Sequence, residues 1–222
     1  MACLRDQADF IESYYSDTIL KTGYAGSVDD LMRQRSHLFD YLKQLELWES
    51  LFDLQVIGYQ DLVQDQDLPR SFIGRTTGIP QESLPSDRGR RWNTTHPVEC
   101  LVMKRYLNGV PGTDRENILK IYHRYKRFYL RRFESSIRRN LELSEAFLGS
   151  RKHWLSALQV KAIRDRYHQE NLHIAGKYQC LLSGMPGATK TKRSRLKPWQ
   201  ECFLVGWMLT NYPPDRSWFV AN

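Results

Sequence analysis

The sequence lacks the features that mark secreted, membrane-spanning and zinc-binding proteins. Its four cysteines are scattered between Cys3 and Cys202 without a CxxC pair, which argues against a disulfide framework and a zinc knuckle. The N-terminus has no apolar signal-peptide core, and the longest apolar run, residues 202–209, is too short to cross a bilayer. We therefore expect an intracellular protein of the cytoplasm, nucleus or nucleoid, with no transmembrane segment and no secretion.

Catalytic signatures are missing as well. The chain contains no Gly-rich phosphate loop of the Walker or Rossmann type, no GxSxG sequence and no carboxylate pair tied to a site. His168 and His173 lie five residues apart, a spacing that does not place both on one helical face for a shared metal. We predict a protein that is not an enzyme, and the sequence indicates neither a cofactor nor a metal site.

Positive charge is what the sequence has in excess. Lys and Arg number 33 against 25 Asp and Glu, which gives a formal net charge of +8 and favours anionic partners. Acidic residues concentrate in the first two helical segments, so the chain has an acidic front and a basic back. This asymmetry favours head-to-tail self-association, although two ordinary solvated helices have the same pattern.

Hydrophobic periodicity predicts a mainly α fold, an irregular helical bundle with long basic loops. Apolar residues recur at helical spacing in most of the chain, and the only strand candidate is 54–59. Ser27 with Asp30 forms a capping box, and Pro198 suits a first helical turn. The predicted helices cover residues 3–22, 27–54, 98–108, 113–149 and 150–182, and a last one begins at 198.

The bundle is predicted to surround one long central helix, residues 113–149. Thr113 and Glu116 form a second capping box, and Gly149 suits the residue after a helix. One side is apolar and aromatic, formed by Ile118, Tyr122, Tyr125, Tyr129 and Phe133. On the opposite side, five basic residues fall within roughly 60° of one another. The helix therefore combines a packing face with a continuous basic face.

The order of these segments suggests three regions, unless the whole chain is one domain. Residues 1–64 form an acidic helical region, and residues 98–222 form a basic helical core region. Between them, residues 65–97 lose the helical period and are rich in Pro, Gly and Arg, as in a linker or an extended arm. A second basic loop covers 184–197.

The leading hypothesis is a non-enzymatic nucleic-acid-binding protein. Lys and Arg at helical spacing can follow a phosphate backbone, and basic loops add further contacts, without choosing between RNA and DNA. Trp92 or His123 would stack on unpaired bases. The predicted phosphate-binding residues are Lys120, Arg124, Arg127, Arg131 and Arg138 on the helix, and Arg88, Arg90, Arg91, Lys190, Lys192, Arg193 and Arg195 in the loops.

Two other functions stay open. The same arginines would serve an assembly or adaptor protein, cellular or viral, that docks an acidic protein surface. A more distant alternative is a helical ribonuclease, because the spacing Arg166-x6-His173 resembles the arginine–histidine motif of the HEPN family. That resemblance covers one motif and implies a long-helix fold with RNA cleavage. Binding of the basic face to anionic lipid ranks below nucleic acid, because the aromatic side of the helix is predicted to pack into a core.

Overall fold

The computed structural model describes residues 1–63, 67–85, 96–112, 114–129, 152–180, 182 and 194–211. It confirms the mainly α fold. None of the helices in these ranges has the length and apolar content needed to cross a membrane. The described α-helices are α1 (Gln7–Thr22), α2 (Val28–Gln34), α3 (Tyr41–Glu49), α4 (Tyr59–Val63), α5 (Leu68–Thr77), α6 (Val98–Asn108), α7 (Arg115–Phe128), α8 (Ala157–Tyr178) and α9 (Pro198–Asn211).

Two short parallel strand pairs accompany the described helices, and one of their strands lies at a predicted position. Strands β1 (Ala2–Leu4) and β2 (Val56–Gly58) pair with Ala2 opposite Val56, and β3 (Lys152–His153) pairs with β4 (Ser194–Arg195). Strand β2 falls inside the weak candidate 54–59. Strand β1 takes the first residues of the predicted helix 3–22, so α1 begins only at Gln7.

The chain divides into two compact units. The first unit comprises residues 1–10, 35–94 and 161–190, and the second comprises 11–34, 95–160 and 191–222. In the first, an apolar core forms from Tyr41, Leu45, Val56, Ile174, Cys180 and Leu182. The start of α1 is fixed by the buried Asp6, whose carboxylate accepts hydrogen bonds from Arg164 Nε at 2.9 Å and from Asp9 N at 3.1 Å.

The second unit is built around α6, whose predicted limits are confirmed. Pro97 precedes this helix and Gly109 follows it. Its buried residues lie on most of its sides: Glu99, Cys100, Leu101, Val102, Met103, Lys104 and Leu107. Within this unit α6 packs against both α7 and α9. It is therefore the helix that positions α7.

A polar cluster at Arg105 ties α6 to its neighbours in the second unit. The guanidinium of Arg105 pairs with Glu201 of α9 at 2.5 Å and donates to the hydroxyl of Tyr15 on α1 at 3.1 Å. The indole of Trp154 packs edge-on against Tyr15 and donates to Ser16 Oγ at 2.9 Å. Because each polar group has a partner, the cluster fixes how these helices meet.

The predicted helix 27–54 is divided in the structure. The Ser27–Asp30 capping box is confirmed by the mutual hydrogen bonds of these residues, but α2 ends at Gln34. A 3-10 turn, Ser36–Leu38, follows, and Asp40 then caps α3 by accepting from Lys43 N. The predicted helix also runs too far, because Phe52 lies beyond α3 and its side chain is exposed.

Helix α5 corrects the expectation that the helical period is lost throughout 65–97. Asp67 caps the helix by accepting from Arg70 N, and Pro69 lies in the first turn, where a missing N–H costs nothing. Gly78 ends the helix with a φ of +71°. We read these residues as loop signals, although each one has an ordinary place at a helix end.

Helix α8 shows a second difference, in the orientation of its apolar side. In the predicted helix 150–182, Leu158 and Ala162 follow Trp154 at helical spacing and should be buried with it, but both side chains are exposed. Instead, Val160, Ile163 and Tyr167 are buried. Trp154 follows strand β3 and precedes the helix, so its spacing to later residues is not helical.

Candidate nucleic-acid interface

Helix α7 is the described part of the predicted central helix 113–149. Its N-cap is Asp114, whose carboxylate accepts a hydrogen bond from Asn117 N at 3.0 Å. We had assigned that role to Thr113, one residue earlier, which lies outside the described residues. Asp is as good an N-cap as Thr, so the sequence alone did not separate the two positions. Residues 130–149 of the prediction also lie outside the described ranges.

The apolar side of α7 packs into the second unit. Ile118, Tyr122 and Tyr125 are buried as predicted, and Ile121 joins them. Burial raises the pKa of the Tyr125 phenol well above its usual range. The ring of Tyr129 lies 6.0 Å from that of Tyr125, while Phe133 lies outside the described residues. The packing face fixes which side of the helix meets solvent.

Lys120, Arg124 and Arg127 lie on that solvent side and are all exposed. Their positions differ by four and three residues, so they form a line of cations along the helix. Lys120 forms an ion pair with Glu116 at 2.7 Å, but both side chains are more than 60% exposed, so solvent weakens this contact. In the described part of the chain, Arg124 and Arg127 have no carboxylate partner. We call these three residues the basic face of α7.

The other predicted phosphate-binding residues are not part of this basic face as described. Arg195 lies on β4 of the same unit, where it donates to Gln159 Oε1 at 2.9 Å and approaches Asp29 at 4.0 Å. These contacts leave the Arg195 guanidinium fewer hydrogen bonds to donate to a phosphate. The remaining predicted residues lie outside the described ranges: Arg131, Arg138, Arg88, Arg90, Arg91, Lys190, Lys192 and Arg193.

A hollow of about 310 Å³ lies on the same helix, within the second unit. Three of its residues, Arg115, Leu119 and His123, recur at every fourth position of α7. At 100° per residue, this stripe runs next to the basic face, so His123 and Arg127 are neighbours one turn apart. The end of α1 and the segment before α6 complete the lining with Leu20, Lys21 and His96.

His96 is the most constrained side chain of the hollow. Its Nδ1 atom is hydrogen-bonded to the hydroxyl of the buried Tyr122 at 2.5 Å, and the two rings lie 5.6 Å apart. Burial lowers the pKa of His96, and the charges of Lys126 and His123 lower it further. The imidazole is therefore mostly uncharged at pH 7, as a planar surface for hydrogen bonding or stacking.

The surroundings of the hollow are electropositive. None of the six residues that line it in the described ranges is acidic, and Arg115 and Lys21 supply fixed positive charge. Lys21 pairs with Asp17 at 2.8 Å, but both side chains are more than half exposed. Burial and the charge of Arg115 lower the pKa of Lys104 on α6 to about 8. An anion would therefore meet a favourable potential at this site.

Sequence reasoning found only part of this hollow. Trp92 or His123 was predicted to stack on bases; the structure places His123 beside the basic face, and Trp92 lies outside the described residues. His96 carried no recognisable signal, because it is an isolated residue before Pro97. Leu20 and Lys21 come from the end of α1, far from α7 in the sequence. The usable signal was the recurrence of Arg115, Leu119 and His123 on α7, next to the basic residues.

Metal-binding residues do not cluster in the described ranges, where no group of three His, Cys, Asp or Glu side chains is placed to hold an ion. In comparisons with known proteins, no family model, no curated protein and no solved structure matches the chain. The function is therefore inferred from surface chemistry.

Proposed function

We propose that this protein binds nucleic acid through phosphate contacts made by the basic face of α7. The observation that carries the proposal is the orientation of the helix. Tyr122 and Tyr125 are buried in the second unit, and Lys120, Arg124 and Arg127 consequently lie together in solvent. The net charge of +8 favours the same class of partner.

The dimensions of the basic face match a nucleic-acid backbone. From Lys120 to Arg127 the helix rises by roughly 10 Å, since each residue adds about 1.5 Å. A nucleic-acid strand advances about 3.4 Å per phosphate along a duplex, so three cations over this length face about three phosphates. Arginine suits this task because its planar guanidinium donates two parallel hydrogen bonds to phosphate oxygens.

A double substitution tests the proposal. Arg124→Ala with Arg127→Ala removes two of the three cations, so affinity for RNA, single-stranded DNA and duplex DNA should fall without regard to sequence. Because each lost phosphate contact releases about 0.9 fewer counterions on duplex DNA, the slope of log affinity against log salt should become shallower by about two. Fluorescence anisotropy with labelled oligonucleotides at several salt concentrations measures both quantities.

A matched control variant has the same net charge as the Arg124→Ala, Arg127→Ala variant. Arg35→Ala with Lys161→Ala also removes two exposed cations, both from the first unit. This control should bind with nearly the parent affinity and salt slope. Equal losses in the two double variants would show that only net charge matters, and would contradict a site on α7.

A second candidate function, assembly through a protein partner, is favoured by an exposed apolar patch on the first unit. Leu47, Trp48, Leu51 and Phe52 are each more than half exposed at the end of α3 and in the turn after it. Backbone hydrogen bonds from Leu51 and Phe52 to the carbonyl of Trp48 hold the turn. Soluble monomers rarely leave so many large apolar side chains together in water.

The partner we assign to this patch is a second copy of the chain. Exposed Glu46 and Asp53 flank the patch, and the chain carries an excess of positive charge elsewhere to complement them. Sedimentation velocity at rising protein concentration should show self-association that Leu51→Ser with Phe52→Ser abolishes. A wild-type protein that stays monomeric at every concentration would contradict this assignment.

A helical ribonuclease remains the most distant alternative. Arg166 and His173 both lie on α8, two turns apart, and both are exposed. The guanidinium of Arg166 lies 5.3 Å from the ring of Tyr167. RNA cleavage that is lost in His173→Ala would favour this reading over binding alone.

A further inference from the structure

The hollow in the second unit has a different chemistry from the basic face beside it. Two imidazole rings, His96 and His123, and two leucines, Leu20 and Leu119, form most of its lining. Rings and aliphatic side chains offer planar and apolar contact, which phosphates do not use. Among the residues that the structure describes, the positive side chains Arg115 and Lys21 complete the lining, with no carboxylate.

The volume restricts what can enter. About 310 Å³ lies at the lower end of the range for small-molecule sites, so the hollow accepts one small planar group and excludes a stacked duplex. A base inside a duplex is covered above and below by its neighbours. Only a base that has left the stack, or that was never paired, presents its faces to a protein.

The position of the hollow connects it to the proposed phosphate contacts. His123 lies one helical turn before Arg127, and Lys120 lies one turn before Arg124, so the two stripes run side by side along α7. A strand that lays its phosphates along the basic face therefore has its bases within reach of His123. The hydrogen bond between His96 and Tyr122 holds the second ring in place before any ligand arrives.

We propose that this hollow binds one unpaired base of a single-stranded nucleic acid whose phosphates lie along the basic face of α7. The inference rests on the proposed nucleic-acid function and adds a preference for single strands. His123 stacks on the base, His96 contacts its edge, and Arg115 with Lys21 hold an adjacent phosphate.

The test compares two kinds of variant on two kinds of probe. A labelled adenine-rich single strand and a duplex of the same length are titrated against the wild type, His123→Ala, His123→Phe and Arg127→Ala. Base stacking on an aromatic residue corresponds to at least about a fivefold change in affinity. We expect His123→Ala to weaken single-strand binding by about that factor and to leave duplex binding unchanged. His123→Phe, which keeps a ring, should restore single-strand binding.

Arg127→Ala serves as the reference for phosphate contacts and should weaken both probes. If Arg127→Ala weakens both but His123→Ala weakens neither, the hollow binds no base while the proposed function stands. Equal weakening of both probes by His123→Ala assigns that residue to phosphate contact and overturns the base site. Absence of binding to every probe at low salt overturns both proposals.

A second measurement separates a base from a simple anion. Proton NMR of the imidazole rings follows His96 and His123 during titration with adenosine monophosphate and, separately, with inorganic phosphate. We expect ring-current shifts of both histidines with the nucleotide that phosphate alone does not reproduce. Identical shifts from the two ligands would show an anion site without a base contact.

Discussion

Lys104 provides the sharpest stability test of the second unit. This residue of α6 is 1% exposed, and its ammonium group hydrogen-bonds with Asn108 Oδ1 and lies 3.4 Å from the carbonyl oxygen of Ile19. Asn108 in turn donates to the carbonyls of Ile19 and Tyr24, both at 2.9 Å. Burial, followed by the charge of Arg115, lowers the pKa of Lys104 to about 8.

The sign of the pH effect on stability follows from the fact that the folded state binds the proton of Lys104 more weakly than the unfolded state. An unfolded lysine has a pKa of about 10.4, so between about pH 8 and 10.4 the unfolded chain binds more protons at Lys104 than the folded chain. The free energy of unfolding therefore rises with pH through this window. From pH 7 to pH 9 the contribution of Lys104 rises by about 1 kcal/mol.

Lys104→Met isolates this contribution, because methionine does not titrate. Cys100 works in the opposite direction, since burial raises its pKa and the unfolded thiol ionises first, but it is present in both proteins. We expect the difference in unfolding free energy, wild type minus variant, to increase by about 1 kcal/mol between pH 7 and 9. Urea denaturation at the two pH values measures it. A difference that does not change with pH would refute a lowered pKa at the buried Lys104.

Substitutions at Tyr125, Asp6, Gly78 and Gly176 test the packing and the backbone. Tyr125→Asp should lower the free energy of unfolding by about 3 kcal/mol or more, because it buries an unpaired charge. Tyr125→Phe should be tolerated, since the hydroxyl of Tyr125 has no partner among the described residues. An unchanged melting temperature for the Asp variant would mean that α7 is turned the other way. Asp6→Ala should lower the free energy of unfolding by about 2–4 kcal/mol through loss of the Arg164 pair and the α1 cap, and a urea midpoint equal to the wild type would show that neither contact matters. Gly78→Ala should destabilise the protein by about 1 kcal/mol, because Gly78 has a φ of +71°. Gly176→Ala should stabilise it by up to about 1 kcal/mol, because Gly176 lies inside α8 with open space for a Cβ. Changes of the same sign in thermal denaturation would contradict the assigned backbone.

Local signals were enough to predict several elements. Pro97 and Gly109 mark both ends of α6, and Ser27 with Asp30 marks the start of α2, because each residue acts through its own backbone neighbourhood. The buried side of α7 could also be predicted, since its apolar residues recur over several turns of one helix. An element whose limits are set by a few neighbouring residues can therefore be predicted from the sequence.

The features that escaped prediction depend on distant contacts or on ambiguous residues. Prolines signal a loop or a first helical turn, and α5 uses the second option at Pro69. Trp154 was taken as a member of α8, although its indole donates to Ser16 from a segment that precedes the helix. The hollow brings together Lys21, His96 and Arg115 from three separate segments, and no local sequence pattern predicts contacts between distant segments.

The salt dependence of nucleic-acid binding by the wild-type protein tests the central claim most directly. The basic face of α7 displays three exposed cations, so log affinity for duplex DNA plotted against log salt should fall with a slope of about −2 to −3, and steeper if other basic residues take part. Fluorescence anisotropy over a series of salt concentrations gives this slope. The account predicts binding at low salt that weakens in this way. Absence of binding at low salt, or an affinity that does not change with salt, would contradict it.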